Sequence, residues 1–192
     1  MDRYNRGRRR GGVGLLGLGA ACVLGAIGNA AVLGPGALVG VRGGLVVELG
    51  AGDVALACVL SRTGRHVIQV LDTDQRAVVA ARDRIRSEGW YGLGTAEVIK
   101  TWEHLPYSEN LVNLVIVRSF APPLAEIRRV LVPGGWVVAR TGALDKGALV
   151  AGGFESVEER GVYLVGRKIR PAQMDEWSHP RHDAGGNAVS AD

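Results

Sequence analysis

VVELGAGDVALA, residues 46–57, is the stretch whose reading decides the fold. It runs apolar into a glycine turn and out into a second apolar segment. GLVVELG (44–50) is short and rich in β-branched residues, as expected of a parallel strand buried on both faces. DVALACVLSRTG then reads as a helix ending near Gly64. Such a unit either delivers a small-molecule ligand to the start of the helix or is a tight turn between core elements. The surrounding chain has to decide.

HVIQVLD (66–72) reads as a second strand. DQRAVVAARDRIRSEG (74–89) is an amphipathic helix, with Val78, Ala81 and Ile85 on one face, arginines on the other and Gly89 as its stop. A third strand lies in GTAEVIK, a polar connection in TWEHLPYSEN and a fourth strand in LVNLVIV (111–117). The short helix PLAEIRRVL leads through the turn Pro133-Gly134-Gly135 to the strand WVVAR. FESVEER and VYLVGRK, separated by Gly161, form a hairpin. Strands alternating with helices imply an α/β, Rossmann-like, doubly wound and mostly parallel sheet covered on both faces and closed by that antiparallel hairpin.

At 192 residues the chain suits one domain with enough length for a real core. Its basic balance is local: Arg3, Arg6, Arg8, Arg9 and Arg10 precede a segment with no charge until Arg42. Without residues 1–30 the chain is formally neutral. A nucleic-acid footprint needs cations on the folded domain, so nucleic acid is set aside as a partner. A basic flank before an apolar run, with small residues around Gly28, Asn29, Ala30 and Ala31, has the anatomy of an export signal over residues 1–36. The same segment also reads as a retained anchor meeting the membrane through residues 11–41, or as a flexible, small-residue N-terminus. The first two place the protein in the periplasm or cell envelope, or anchored in a membrane; the third leaves it cytoplasmic. Cleavage would remove Cys22 and leave Cys58 alone, which excludes an internal disulfide. Residues 37–169 then form the domain, and the aperiodic residues 170–192 an extended tail or a linker.

In a doubly wound sheet, ligands bind outside the carboxyl ends of the strands where strand order reverses. Gly50-Ala51-Gly52-Asp53-Val54-Ala55 satisfies a dinucleotide pattern, but three neighbours argue against NAD. Asp53 at the helix N-terminus repels a pyrophosphate that needs partial positive charge there. Glu48 adds a second negative charge, and the chain after Asp72 is too short for a second nucleotide half. A ligand with a ribose and a cationic amino-acid end fits better, and S-adenosylmethionine is one. Asp72, 22 residues beyond Gly50, is placed at the end of the second strand to accept hydrogen bonds from ribose hydroxyls. In the plainer alternative, Asp72 or Asp74 caps the next helix.

VVELGAG, the acid in VLDTD, LPYSENLVNLVIV, IRRVLVPGGWVVAR and the closing FESVEERGVYLVGRK together resemble a class I S-adenosylmethionine-dependent methyltransferase over residues 43–168. The resemblance implies a seven-stranded sheet and a cofactor site of Glu48, Gly50, Ala51, Gly52, Asp72, Thr73, Thr101 and Trp102. In it Gly50 and Gly52 line the methionine end, and Glu48 supports the loop or the amino group. Asp72 holds the ribose, Thr73 sits beside the adenine, Thr101 falls where the family often has an acid contacting the adenine amine, and Trp102 stacks on or flanks the ring. Val54 stands where a third glycine is usual and Asn113 where an aspartate often begins the fourth strand. Arg118 and Ser119 occupy the place where acceptors are often contacted, and the segment to Pro122-Pro123 is short. A narrower resemblance, carried by MDEWSHPRHDAGGNAVSAD, is to large exported planctomycete-type proteins whose tail leads into a quinoprotein-like β-propeller, which would make this chain the N-terminal piece of something larger.

Other groups read more plainly. Glu103 and His104 are placed to act as a general base, or are solvated in a polar loop. Trp102 is alternatively a cover over the sheet edge. His179 and His182 with Asp175 and Asp183 suggest a metal site only if something converges them. Methyl transfer needs no diagnostic catalytic residue, and none is evident; the acceptor is unidentified. The competing expectation is a non-catalytic structural or interaction domain of a larger exported protein.

Overall fold

The computed structural model describes residues 39–174 apart from Asp53 and residues 119–121, with residues 55–57 described by their backbone alone. Seven strands form one sheet: β1 (Gly44–Leu49), β2 (His66–Asp72), β3 (Gly94–Val98), β4 (Val112–Val117), β5 (Leu131–Arg140), β6 (Phe154–Arg160) and β7 (Tyr163–Lys168). Their order is β3-β2-β1-β4-β5-β7-β6. The ladders from β3 through β5 are parallel, and β7 runs antiparallel to both β5 and β6. Strand order therefore reverses between β1 and β4, the switch point at which this class of sheet binds ligands.

Alternation along β1 assigns the two faces. Val46 belongs to one buried cluster, with Cys58 and Leu60 of α1 (Ala55–Ser61) and Val78, Ala81 and Ile85 of α2 (Gln75–Ser87). Val47 and Leu49 belong to the other, with Ile127 and Val130 of α3 (Leu124–Val130) and Leu149 of α4 (Lys146–Ala151). Each fully buried Val, Leu or Ile contributes roughly 1.5–3 kcal/mol, so burial on both faces holds the sheet between its helices. Asp74, not Asp72, caps α2: its carboxylate accepts the Arg76 N–H at 2.9 Å. Gly89 at φ +74° follows the helix end.

Two local features differ from the sequence reading. Pro133-Gly134-Gly135 lies inside β5, and the β4–β5 register shifts between Val112 and Leu114. A Cβ on Gly135 would stand 2.8 Å from the Val132 carbonyl oxygen, so this irregularity admits no side chain there. Helix α4 was not expected; it has six residues, one buried side chain, and Asp145 capping it through Ala148 N–H at 2.7 Å. Asn113 lies at the N-terminal end of β4, where the sequence reading put it. There its Oδ1 accepts the Leu45 N–H at 2.9 Å and ties β4 to the start of β1. Among the described residues no helix is long and apolar enough to cross a membrane; residues 1–38, with most of the leader, lie outside them.

Candidate functional site

The glycine turn is an extension of the sheet. Past the end of β1, Gly50 N–H donates to the Leu71 carbonyl at 2.8 Å, continuing the β1–β2 ladder by one residue. The next N–H, on Ala51, donates to Asp72 Oδ2 at 2.7 Å. The side chain of Asp72 thus takes over where the backbone ladder stops. Its other oxygen accepts the Asp74 N–H at 3.0 Å. A carboxylate has about four lone-pair positions, so half-exposed Asp72 holds the turn and retains acceptor capacity toward a diol. Gly50 has φ +103°, which a side chain disfavours. Gly52 is different: it is exposed, has no positive φ, and a Cβ there meets nothing within 4 Å. The chain itself gives no reason for glycine at 52, and the open space is what a closely approaching ligand uses. These residues fit S-adenosylmethionine.

Glu48, on β1, pairs with a residue just beyond β4. It is fully buried, and its Oε1 accepts Arg118 Nε–H at 2.5 Å. Arg118, expected near an acceptor, therefore engages the strand-end acid. Val54 is buried in the core beside α1, so its bulk goes to packing. Asp53 and Ser119 lie outside the described residues.

Thr73 is exposed immediately after Asp72. Beyond β3, Ile99 N–H donates to the Asp72 carbonyl at 2.9 Å and brings the next loop alongside the same strand end. Thr101 is exposed on that loop and its Oγ1 accepts the Glu103 N–H at 3.1 Å; Trp102 is half-buried against the core of the second face. A cavity of about 380 Å³ opens here, lined by Gln69, Val98, Thr101 and His104 among others. Glu103 and His104 do not form an acid–base pair: exposed His104 has its Nδ1 3.4 Å from Glu126 Oε1. Glu126 is buried on α3, bound through its two oxygens to Arg129 at 2.6 and 2.8 Å and to Leu105 N–H at 2.7 Å. Arg129, more than the Leu105 N–H and against the effect of burial, holds the Glu126 carboxyl below its usual range, and Glu126 in turn raises Arg129. Burial pushes the Tyr107 hydroxyl well above the phenol range while it donates to Gln69 Oε1 at 2.8 Å. The sequence reading missed Glu126 and Arg129. Their signal was an acid on the apolar stripe of LAEIRRV, with an arginine three residues on.

The described residues contain no group of three His, Cys, Asp or Glu placed to hold a metal; His179, His182, Asp175 and Asp183 lie outside them.

A mostly parallel sheet whose last strand in sequence, β7, lies antiparallel between β5 and β6 is an α/β methyltransferase-like fold. More specifically, residues 47–139 match the family model of the methyltransferase domain. No curated protein matches the sequence. Among solved structures, a candidate S-adenosyl-L-methionine-dependent methyltransferase of Methanococcus maripaludis superposes with a TM-score of 0.58 at 18% identity, over 71% of this chain and 82% of that one. The [4+2]-cyclase SpnF gives 0.56 at 17%, over 67% and 76%. An S-adenosylmethionine-dependent methyltransferase of Methanosarcina mazei gives 0.53 at 13%, over 68% and 95%. At such identities the likeness establishes the fold.

Proposed function

We propose that the domain binds S-adenosylmethionine over the turn Gly50–Gly52 and directs its methyl group to an acceptor held above the ends of β1 and β4. The observation that carries this is Gly52, a glycine the chain does not need, set on a turn that Asp72 holds in place. In this reading Gly50, Ala51 and Gly52 bring backbone against the methionine end. Asp72 accepts from the ribose hydroxyls, while Thr73, Thr101 and Trp102 flank the adenine. When bound, the cofactor supplies a methyl group on a sulfonium, already a good leaving group. The chain's task is then to align donor and acceptor and to exclude water, with no resident acid or base required.

A second reading has one observation in its favour. Glu48, assigned to the loop or the cofactor's amino group, is engaged by Arg118, which suits a domain that keeps the fold without methyl transfer. The SpnF structure is named as a cyclase, an instance of other chemistry on a similar fold. With this reading go export or anchoring through residues 1–36 and a further domain following residues 170–192.

Calorimetric titration of the full chain with S-adenosylmethionine, with NADH as control, separates the two. Micromolar binding of the former and none of the latter supports the cofactor site. A folded protein that binds neither leaves the second reading standing. The intact mass of the protein recovered from the cell envelope tests whether residues 1–36 are removed.

A further inference from the structure

Residues 99–111 join β3 to β4 across the second face without a helix. A loop that lacks its own ladder takes its course from the side chains that satisfy its backbone. Here these come chiefly from α3. Glu126 Oε1 accepts the Leu105 N–H at 2.7 Å. Arg129 donates through Nη1 to the Tyr107 carbonyl at 2.8 Å and through Nη2 to the Leu105 carbonyl at 3.2 Å, while Nε and Nη2 hold the two oxygens of Glu126. From β2, Gln69 accepts the Tyr107 hydroxyl. One guanidinium fork and one carboxylate therefore fix three backbone groups of the loop, and Thr101 and Trp102 lie between that anchor and the tie from Ile99 to Asp72.

We infer that Glu126 and Arg129 are positioning residues for the nucleoside half of the cofactor: they touch no ligand, and they set the loop that carries Thr101 and Trp102. The inference rests on the S-adenosylmethionine reading above. It requires an ionised carboxylate, because Glu126 accepts from three N–H groups. It also requires arginine, because a lysine ammonium is a point charge that cannot span both carboxylate oxygens and two carbonyls in fixed geometry.

The test is titration of the full chain with S-adenosylmethionine and with 5′-methylthioadenosine, which lacks the amino-acid end, well below the unfolding temperature of each variant. Glu126→Gln weakens both ligands by the same factor, about tenfold, equivalent to about 1.4 kcal/mol. Arg129→Lys falls between it and the unaltered protein. A purely structural role leaves both affinities unchanged while the protein is folded, so wild-type affinities in the folded variants overturn the inference. Should Glu126→Gln fail to fold, Arg129→Lys, which retains the charge pair, carries the same comparison. If the unaltered protein binds neither ligand, the cofactor reading fails and takes the inference with it. If it binds both and only Asp72→Asn loses them, the inference alone falls.

Discussion

Replacing Arg129 with methionine keeps a long apolar stem and deletes the charge. In the native protein the Glu126 side chain is 9% exposed and that of Arg129 28%. The variant leaves a buried carboxylate with the Leu105 N–H and, at 3.4 Å, His104, and it strips donors from the Leu105 and Tyr107 carbonyls. Removing one partner of a buried pair costs about 3–5 kcal/mol, and the solvent access of Arg129 points to the lower end, about 3 kcal/mol at neutral pH. The pH dependence is the sharper test. Native Glu126 has its pKa lowered from the ordinary 4.5, first by its hydrogen bond with Arg129. Its stabilisation is therefore present above that value and lost as pH falls through the folded-state pKa. In the variant the two contributions of Arg129 vanish and burial, which raises the pKa, remains. The folded-state pKa of the variant thus lies above that of the native protein. The deficit is full at neutral pH and narrows as pH falls through the variant's pKa. Urea unfolding of both proteins near pH 7 and near pH 4 measures this. A neutral-pH deficit below about 1 kcal/mol, or one equally large in acid, refutes the reasoning.

The two glycines of the turn separate in the same assay. Gly50→Ala forces a side chain to φ +103° and loses at least about 1 kcal/mol of stability, whereas Gly52→Ala meets open space, keeps wild-type stability and weakens S-adenosylmethionine in calorimetry. Asp72→Asn retains one acceptor oxygen for the two N–H groups the carboxylate now serves. It should cost roughly 1.5–3 kcal/mol in denaturant and lower cofactor affinity as well, so stability is measured alongside binding. Asn113→Ala removes the tie to Leu45 N–H at the far end of the sheet. It costs about 1 kcal/mol and leaves cofactor affinity unchanged; a loss of affinity would mean that end of the sheet is coupled to the turn.

Strands β1 and β4 were legible because a parallel strand buried on both faces is a largely apolar run, as Val46-Val47 and Leu114–Val117 are. Strand β2, with Val67 exposed and Gln69 half-buried, was legible from its β-branched residues. Helix α2 was legible from Val78, Ala81 and Ile85, spaced to bury one stripe. Helix α4 was not, since a six-residue helix with Leu149 as its buried anchor has no period to display. The turn at Gly134-Gly135 was legible as a break but not as a bulge, because the strand resumes in register only through its neighbour β4. Within the site, Gly50 and Asp72 stood out by spacing from a strand end. That Asp72 would hold Ala51 needed three dimensions. So did the pairings of Glu48 with Arg118 and of Leu105 with Glu126, 70 and 21 residues apart, where local pattern has no reach.

The central claim is that a nucleoside-bearing ligand lies over Gly50–Gly52 with its ribose on Asp72. A diffraction structure of the full chain crystallised with S-adenosylhomocysteine tests it most directly. The account predicts both ribose hydroxyls within hydrogen-bond distance of the Asp72 carboxylate, the amino-acid end over Gly52 and the adenine beside Thr101. Ligand density that avoids Asp72, or an empty turn at saturating ligand, would contradict it.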